Sequence, residues 1–263
     1  MKLNKKLTTL SKDIQVYDAA IDQQIVGNLY IKGMDLVKAG RFTELNLRKL
    51  KSPNTVIKDT RLRNTLVYSL KHTNNIKKDN TLPTIKSLEQ YLKNILREYF
   101  LQFNLPMDQK DETRDFFLEE QWDNLFFPYM SMLFYKKDRG HYAKMHTDEM
   151  RLGLPNNYSQ LKAGKKVYHT NLFSMIIYLT HDNQTYTEFP YQNIKVNCRP
   201  GRVLIFPSRW PFVHRATAAV ADKLIINTGI ALDPSGLIAP IFNQLDSIQD
   251  FPVLKPFHNG ETY

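Results

Sequence analysis

Residues 194–208 read Ile194-Lys-Val-Asn-Cys-Arg-Pro-Gly-Arg-Val-Leu-Ile-Phe-Pro-Ser208. Two short runs, 194–198 and 202–206, are rich in β-branched and apolar residues. They flank Pro200-Gly201, a pair suited to a tight turn because proline presets a negative φ and glycine accepts a positive one. The stretch therefore predicts two strands joined as a β-hairpin. Working outward, residues 129–135, 172–179 and 223–230 have the same character, and each is bounded by turn formers. Several short strands with no helix between them predict a sandwich, barrel or jelly roll.

Upstream the pattern changes. Leu88, Leu92, Ile95 (with Leu96), Tyr99 and Phe103 recur at three- and four-residue steps, the spacing of one helix face. Ser87 with Gln90 suits a capping box at its start, and Pro106 marks its end. Residues 115–127, with Phe116, Phe117, Trp122, Phe126 and Phe127, predict a second short helix. Residues 71–80 read as an exposed polar loop. The tail from Asp233, with Pro234, Pro240, Pro252 and Pro256, predicts a chain wrapping over the domain. The expected class is α+β: a basic, largely helical region over 1–110 packing on a β domain over 111–263. No repeat of 20–50 residues is evident.

Composition narrows the function classes. The chain has 263 residues and is 42% hydrophobic, too apolar for a disordered protein. A single cysteine, Cys198, excludes a disulfide framework and a Cys-rich zinc module. No apolar run reaches the roughly 18–20 residues of a membrane-spanning helix. Ser11-Lys12-Asp13 interrupts the basic start, so no secretory signal is expected, and the expected location is cytoplasmic. Residues 1–100 hold 19 Lys+Arg and 9 Asp+Glu, a net of +10, while the rest is neutral with 17 of each. A basic region of this kind suits nucleic acid or another polyanion, or is a solvated lysine-rich surface.

Three side chains suggest chemistry. His146-Thr-Asp148 has an i, i+2 spacing, which on extended backbone points both groups to one side. His214 follows the expected hairpin and the turn at 207–211, so it can reach a neighbouring strand. Two imidazoles and one carboxylate on one face of a metal leave about three positions open, the arrangement that ferrous iron needs for a cosubstrate and dioxygen. The absence of thiolate ligands speaks against structural zinc. His72, His141, His169, His181 and His258 read as surface or loop residues.

The residues around these three resemble a known family. Tyr135-Lys-Lys-Asp-Arg-Gly-His-Tyr-Ala-Lys-Met-His-Thr-Asp148 resembles the Y…G-x-Y/F…H-T-D segment of the 2-oxoglutarate/Fe(II)-dependent dioxygenases, prolyl 4-hydroxylase-like superfamily. Ile177-Tyr-Leu-Thr180 is similar to its Y-L-N strand. Phe189-Pro190, Ile194-Lys-Val196 and 199–208 are similar to its F-P…I-K-V-x-P-x-x-G-x-x-L-x-F-P-S run. Trp210-Pro-Phe-Val-His-Arg-Ala216 resembles its second histidine segment, 68 positions after the first, and Lys223 follows nine residues later. The match covers residues 129–232. One departure is Thr185-Tyr-Thr-Glu188, where relatives often carry Gly-Gly-Glu-Thr. Another is the long polar stretch 150–170, placed where a lid would sit.

The resemblance implies a double-stranded β-helix (jelly-roll) core with flanking N-terminal helices. It implies His146, Asp148 and His214 as ligands of Fe(II), with 2-oxoglutarate and O2 as cosubstrates and ascorbate as a further reductant. Lys223 would meet the far carboxylate of 2-oxoglutarate, a role many relatives give to Arg. Tyr178 and Tyr135 match tyrosines that contact the cosubstrate, and Asn227, four residues after Lys223, shares its strand face. Taken alone, Tyr178 reads as a core aromatic and Lys223 as a snorkelling edge residue. Arg215 and Trp210 border His214 and read either as substrate contacts or as surface packing. The expected activity is hydroxylation of a protein or peptide residue such as proline, by analogy of fold. Two rivals remain. One is oxidation of a modified nucleic acid, favoured by the basic N-terminal part and opposed by the absence of an R-x-N-x-T-x-R signature after His214. The other is a jelly-roll binding module without chemistry.

Overall fold

The structure is a computed structural model that describes residues 6–11, 13–45, 47–52, 55–59, 63–71, 79–80, 82–101, 122–148, 151–153 and 168–232. The N-terminal part contains strands β1 (Lys6–Thr9) and β2 (Gln15–Asp18), helix α1 (Gln23–Lys38), then β3 (Thr43–Leu45), β4 (Leu47–Ser52), β5 (Thr55–Asp59) and β6 (Arg63–Ser69). Helix α2 (Leu82–Leu101) follows. After it come β7 (Leu125–Phe126), β8 (Met130–Tyr135), β9 (His141–His146), β10 (Arg151–Gly153) and β11 (Tyr168–Tyr178). The chain continues through β12 (Asp182–Phe189), β13 (Ile194–Cys198), β14 (Val203–Pro207), β15 (His214–Ala216) and β16 (Lys223–Leu232).

The strand order is β1-β2-β14-β11-β16-β8-β6-β9-β15-β12-β13. All its pairs are antiparallel; β6 turns the corner, pairing β8 through residues 66–69 and β9 through residues 63–64. Counted from β8, and leaving out β10, the eight strands lie in the orders 1-8-3-6 and 2-7-4-5, the interleaving of a jelly roll. The result is a mostly antiparallel, curled, jelly-roll-like sheet with two helices among the described residues. β4 and β5 form a separate two-stranded hairpin.

Alternation along the strands splits the apolar residues between two cores. Met132 and Phe134 of β8, Met175 and Ile177 of β11, Val203 and Ile205 of β14, and Leu224 and Ile226 of β16 face α1 and α2. Their neighbours Leu133, Tyr135, Ile176, Tyr178, Leu204, Phe206 and Ile225 line the interior of the roll. Both faces are buried, so these strands read as unbroken apolar runs. On α2, Ile85, Leu88, Leu92, Ile95, Leu96 and Tyr99 are buried, each contributing roughly 1.5–3 kcal/mol as an upper bound. On α1, Asp22 caps the start by accepting from the Gln24 and Ile25 amides. Gly40, at φ +64°, ends it: Arg41 N–H bonds Leu36 O and Gly40 N–H bonds Val37 O.

Several expectations need correction. Among the described residues, the first 101 positions hold six strands as well as two helices, because short apolar runs such as Ile14-Gln-Val-Tyr17 bury against the sheet, where β2 pairs β14. α2 starts at Leu82, so Ser87 lies inside it and does not cap it. Pro83 occupies the first turn, where its missing N–H costs nothing. Of the stretch 115–127, residues 122–126 form a 3-10 turn and β7, since Leu125 and Phe126 pair with β16, and residues 115–121 lie outside the described residues. The Pro200-Gly201 turn forms as read, with Arg202 N–H bonded to Arg199 O and Gly201 at φ +78°. It does not close a hairpin, however: β13 pairs β12 and β14 pairs β11, so the turn carries the chain from one layer to the other. That crossing lets Val196 and Cys198 face Leu204 and Phe206 inside the roll. The expected helix end at Pro106, most of the 150–170 stretch and the tail from Asp233 lie outside the described residues.

Candidate metal centre

His146 is the last residue of β9 and His214 the first of β15, and the two are directly paired. Their ring centroids lie 4.3 Å apart. Asp148 follows two residues beyond β9, and its Oδ1 lies 3.5 Å from His146 Nε2 and 3.7 Å from His214 Nε2. One donor atom from each residue falls within 4.8 Å of the others, a spread that one cation with bonds of about 2 Å bridges.

The histidine tautomers follow from their backbone contacts. Nδ1 of His146 lies 3.0 Å from Lys144 O, and Nδ1 of His214 lies 3.4 Å from Phe212 O. A carbonyl oxygen only accepts, so these contacts favour the proton on each Nδ1, which would leave each Nε2 lone pair free for a metal. The Asp148 Oδ2 atom is buried with no hydrogen-bond partner among the described residues. Two imidazole nitrogens and one carboxylate, gathered within the reach of a single ion, fit a bound cation. Tyr142 stacks on His146 at 3.8 Å, while Phe189 and Phe206 pack on His214, so the rings are held by apolar contact as well. Gly140, in the turn before β9, is required by close approach: a Cβ there would lie 2.5 Å from the Tyr135 backbone.

Deeper in the roll, Lys223 is fully buried and its Nζ has no hydrogen-bond partner among the described residues. The ammonium sits 4.9 Å from the Tyr135 ring centroid and 5.9 Å from that of Tyr178. Tyr178 shares a 2.8 Å hydroxyl contact with Thr187, and burial pushes its pKa far above the usual tyrosine value. Cys198 is buried nearby; desolvation pushes its thiol up, against the pull of the Lys223 charge. Asp182, its cross-strand partner, also feels that charge. Burial raises the Asp182 carboxyl, but hydrogen bonds from the Thr185 hydroxyl and the Gln184 and Thr185 amides outweigh it, and the net shift is downward. A cation so enclosed is costly unless an anion joins it. Asn227 lies on the same face of β16, and its Oδ1 too is buried and unpaired.

The structure thus brings His146, Asp148 and His214 together and gathers Tyr135, Tyr178, Lys223 and Asn227 on the interior face. Arg215 goes elsewhere. It projects to the opposite side of β15 from His214, where Nε donates to Glu188 Oε2 at 2.8 Å. Trp210 is 64% exposed and packs edge-on against Tyr191 at the metal end of the sheet. His141 opens β9, five residues from His146 on the other strand face, with Nδ1 on Arg139 O. Asn171, Thr187 and Phe206 line the centre without being singled out in the sequence, for each is an ordinary strand residue there.

No protein-family model and no curated protein matches the chain. Among solved structures, a prolyl hydroxylase from Trichoplax adhaerens, in complex with a hypoxia inducible factor oxygen degradation domain peptide fragment, matches with a TM-score of 0.51 at 14% identity, covering 86% of each chain. A Pseudomonas putida prolyl-4-hydroxylase matches at TM-score 0.47 and 12% identity, over 83% of this chain and 92% of that one. A viral collagen prolyl hydroxylase from Paramecium Bursaria Chlorella virus-1, solved with 2-oxoglutarate, matches at 0.46 and 12%, over 85% and 98%. The chain has the fold of the prolyl hydroxylase-like 2-oxoglutarate oxygenases.

Proposed function

We propose that this chain is an Fe(II)- and 2-oxoglutarate-dependent dioxygenase that hydroxylates a protein or peptide residue such as proline. One observation carries the reading: three convergent ligand atoms and a buried ammonium with no hydrogen-bond partner among the described residues share the interior of one jelly-roll-like sheet. His146, Asp148 and His214 would hold the metal, and Lys223 the far carboxylate of 2-oxoglutarate. Iron, when bound with 2-oxoglutarate and O2, supplies the oxidation that places one oxygen atom on the substrate as a hydroxyl and the other in succinate, with loss of CO2.

The chain's own residues prepare that chemistry. Neutral imidazoles and a single carboxylate leave a divalent ion with a net positive charge, which favours an anionic cosubstrate. The Nδ1–H contacts keep both Nε2 lone pairs on target. Tyr135 and Tyr178 box the Lys223 ammonium so that it presents a fixed point charge, and Thr187 fixes the Tyr178 hydroxyl. Leu204, Phe206, Ile176 and Ile225 form an apolar wall that excludes water.

The test is Fe(II)- and 2-oxoglutarate-dependent succinate release with peptide, nucleic-acid and free amino-acid pools, read alongside a substrate mass gain of one oxygen. Succinate with a hydroxylated peptide supports the reading. Product only in the nucleic-acid pool, with binding that weakens steeply with salt, would move the substrate to the basic N-terminal side. Absence of succinate with every pool would leave a binding module.

A further inference from the structure

We infer that Asn171 is a positioning residue for the Asp148 ligand, an inference that rests on the metal-centre reading above. His146 and His214 are held by strand pairing, but Asp148 lies beyond the end of β9 and receives no such support. Its backbone carbonyl instead accepts a hydrogen bond from Asn171 Nδ2 at 3.2 Å, delivered from β11 in the other layer of the roll. The same amide lies 3.3 Å from the Tyr129 hydroxyl. Fixing the peptide unit after Asp148 fixes the direction in which its carboxylate leaves the chain, as outer partners of metal ligands do.

Three features of the fold are built around this one side chain. The β11–β16 register shifts between Asn171 and Phe173, a bulge of the kind that re-aims a side chain beside a functional centre. Asn171 pairs with Ala231, and its side chain lies over Gly229 of the same strand, where a Cβ would lie 2.4–2.5 Å from Asn171 Oδ1, Nδ2 and Cγ, so only glycine leaves the amide its place. Asn171 is itself buried, yet its Oδ1 has no partner among the described residues.

The experiment is a Co(II) titration of the full chain, read by affinity and by the visible absorption of the bound ion. Far-UV circular dichroism serves as the check on folding. Wild-type protein should bind Co(II) with bands that disappear in His146→Ala; identical bands in that variant would defeat the metal-centre reading itself. Given that control, Asn171→Ala and the near-isosteric Asn171→Leu should each weaken Co(II) binding about tenfold and shift the bands. Gly229→Ala should do the same by displacing the amide, yet add nothing in the Asn171→Ala background, where the crowded atoms are gone. Wild-type affinity and spectrum in a folded Asn171→Leu would overturn the inference, as would full additivity of Asn171→Ala with Gly229→Ala.

Discussion

His146 and His214 are direct cross-strand partners with rings 4.3 Å apart, although 68 positions separate them in the chain. The register of β9 against β15 therefore sets the geometry of the candidate metal centre. A slip of one residue would send one imidazole to the opposite face.

Replacing His146 or Asp148 by Ala should abolish turnover and leave the secondary structure unchanged. Co(II) affinity should fall by more than the roughly 10–100-fold expected for loss of an outer partner. Titration by calorimetry, with circular dichroism in parallel, checks both. Wild-type succinate release in either variant would remove the assignment.

Lys223 should trade stability for function. Lys223→Met removes a buried cation that has no hydrogen-bond partner among the described residues and should stabilise the cosubstrate-free fold by on the order of 1–3 kcal/mol. The same change should raise the 2-oxoglutarate requirement sharply. Urea unfolding and a cosubstrate titration read the two effects, and an unaltered requirement would place the anchor elsewhere.

Lys71 forms a buried ion pair with Glu89 of α2, and its Nζ also donates to Phe127 O at 2.6 Å. Burial lowers the Lys71 pKa, with Glu89 opposing. Glu89→Ala strands the cation and should cost about 3–5 kcal/mol, whereas Lys71→Met with Glu89→Leu should be near neutral. Denaturant midpoints of the single and double variants decide between these outcomes.

Alkali should unfold the protein through its buried tyrosines. Tyr17, Tyr68 and Tyr99 are shifted above the ordinary value near 10, in each case chiefly by desolvation. Above pH 10 the unfolded chain loses these protons while the folded chain keeps them. The stability they contribute is thus intact below pH 10 and falls as pH rises beyond it. Absorbance at about 295 nm should show phenolate appearing together with unfolding; tyrosines titrating near 10 in a folded protein would contradict this.

Gly33 of α1 packs on β16, where a Cβ would lie 2.4 Å from Leu224 Cδ2. In an exposed helix Gly→Ala stabilises by up to about 1 kcal/mol. Here overpacking should reverse the sign, with Gly33→Ala destabilising by about 1–3 kcal/mol in a thermal melt.

The strands at 129–135, 172–179, 194–198, 202–206 and 223–230 were legible because each is a short apolar run closed by turn residues. β9, β12 and β15 were less so. β9 is half-buried to exposed, β12 carries polar residues even where it is buried, and β15 is three residues long, too short for a pattern. The strands of the first seventy residues escaped for a related reason: short apolar runs become strands only where a sheet edge receives them. Arg215 shows the limit of adjacency, for it neighbours His214 in sequence but lies on the opposite strand face.

The chain by itself determined which chemistry is available: two imidazoles, a carboxylate and a lysine, in order, on segments whose local pattern demands extended backbone. Only the tertiary structure decided that His146 meets His214, that the Lys223 ammonium is buried inside the roll, and that Asn171 reaches across the roll to the Asp148 carbonyl while Gly229 makes room. The physical reason is range. Strand propensity and side-chain alternation depend on neighbours within a few residues, whereas register between distant strands depends on how two apolar cores close together around them.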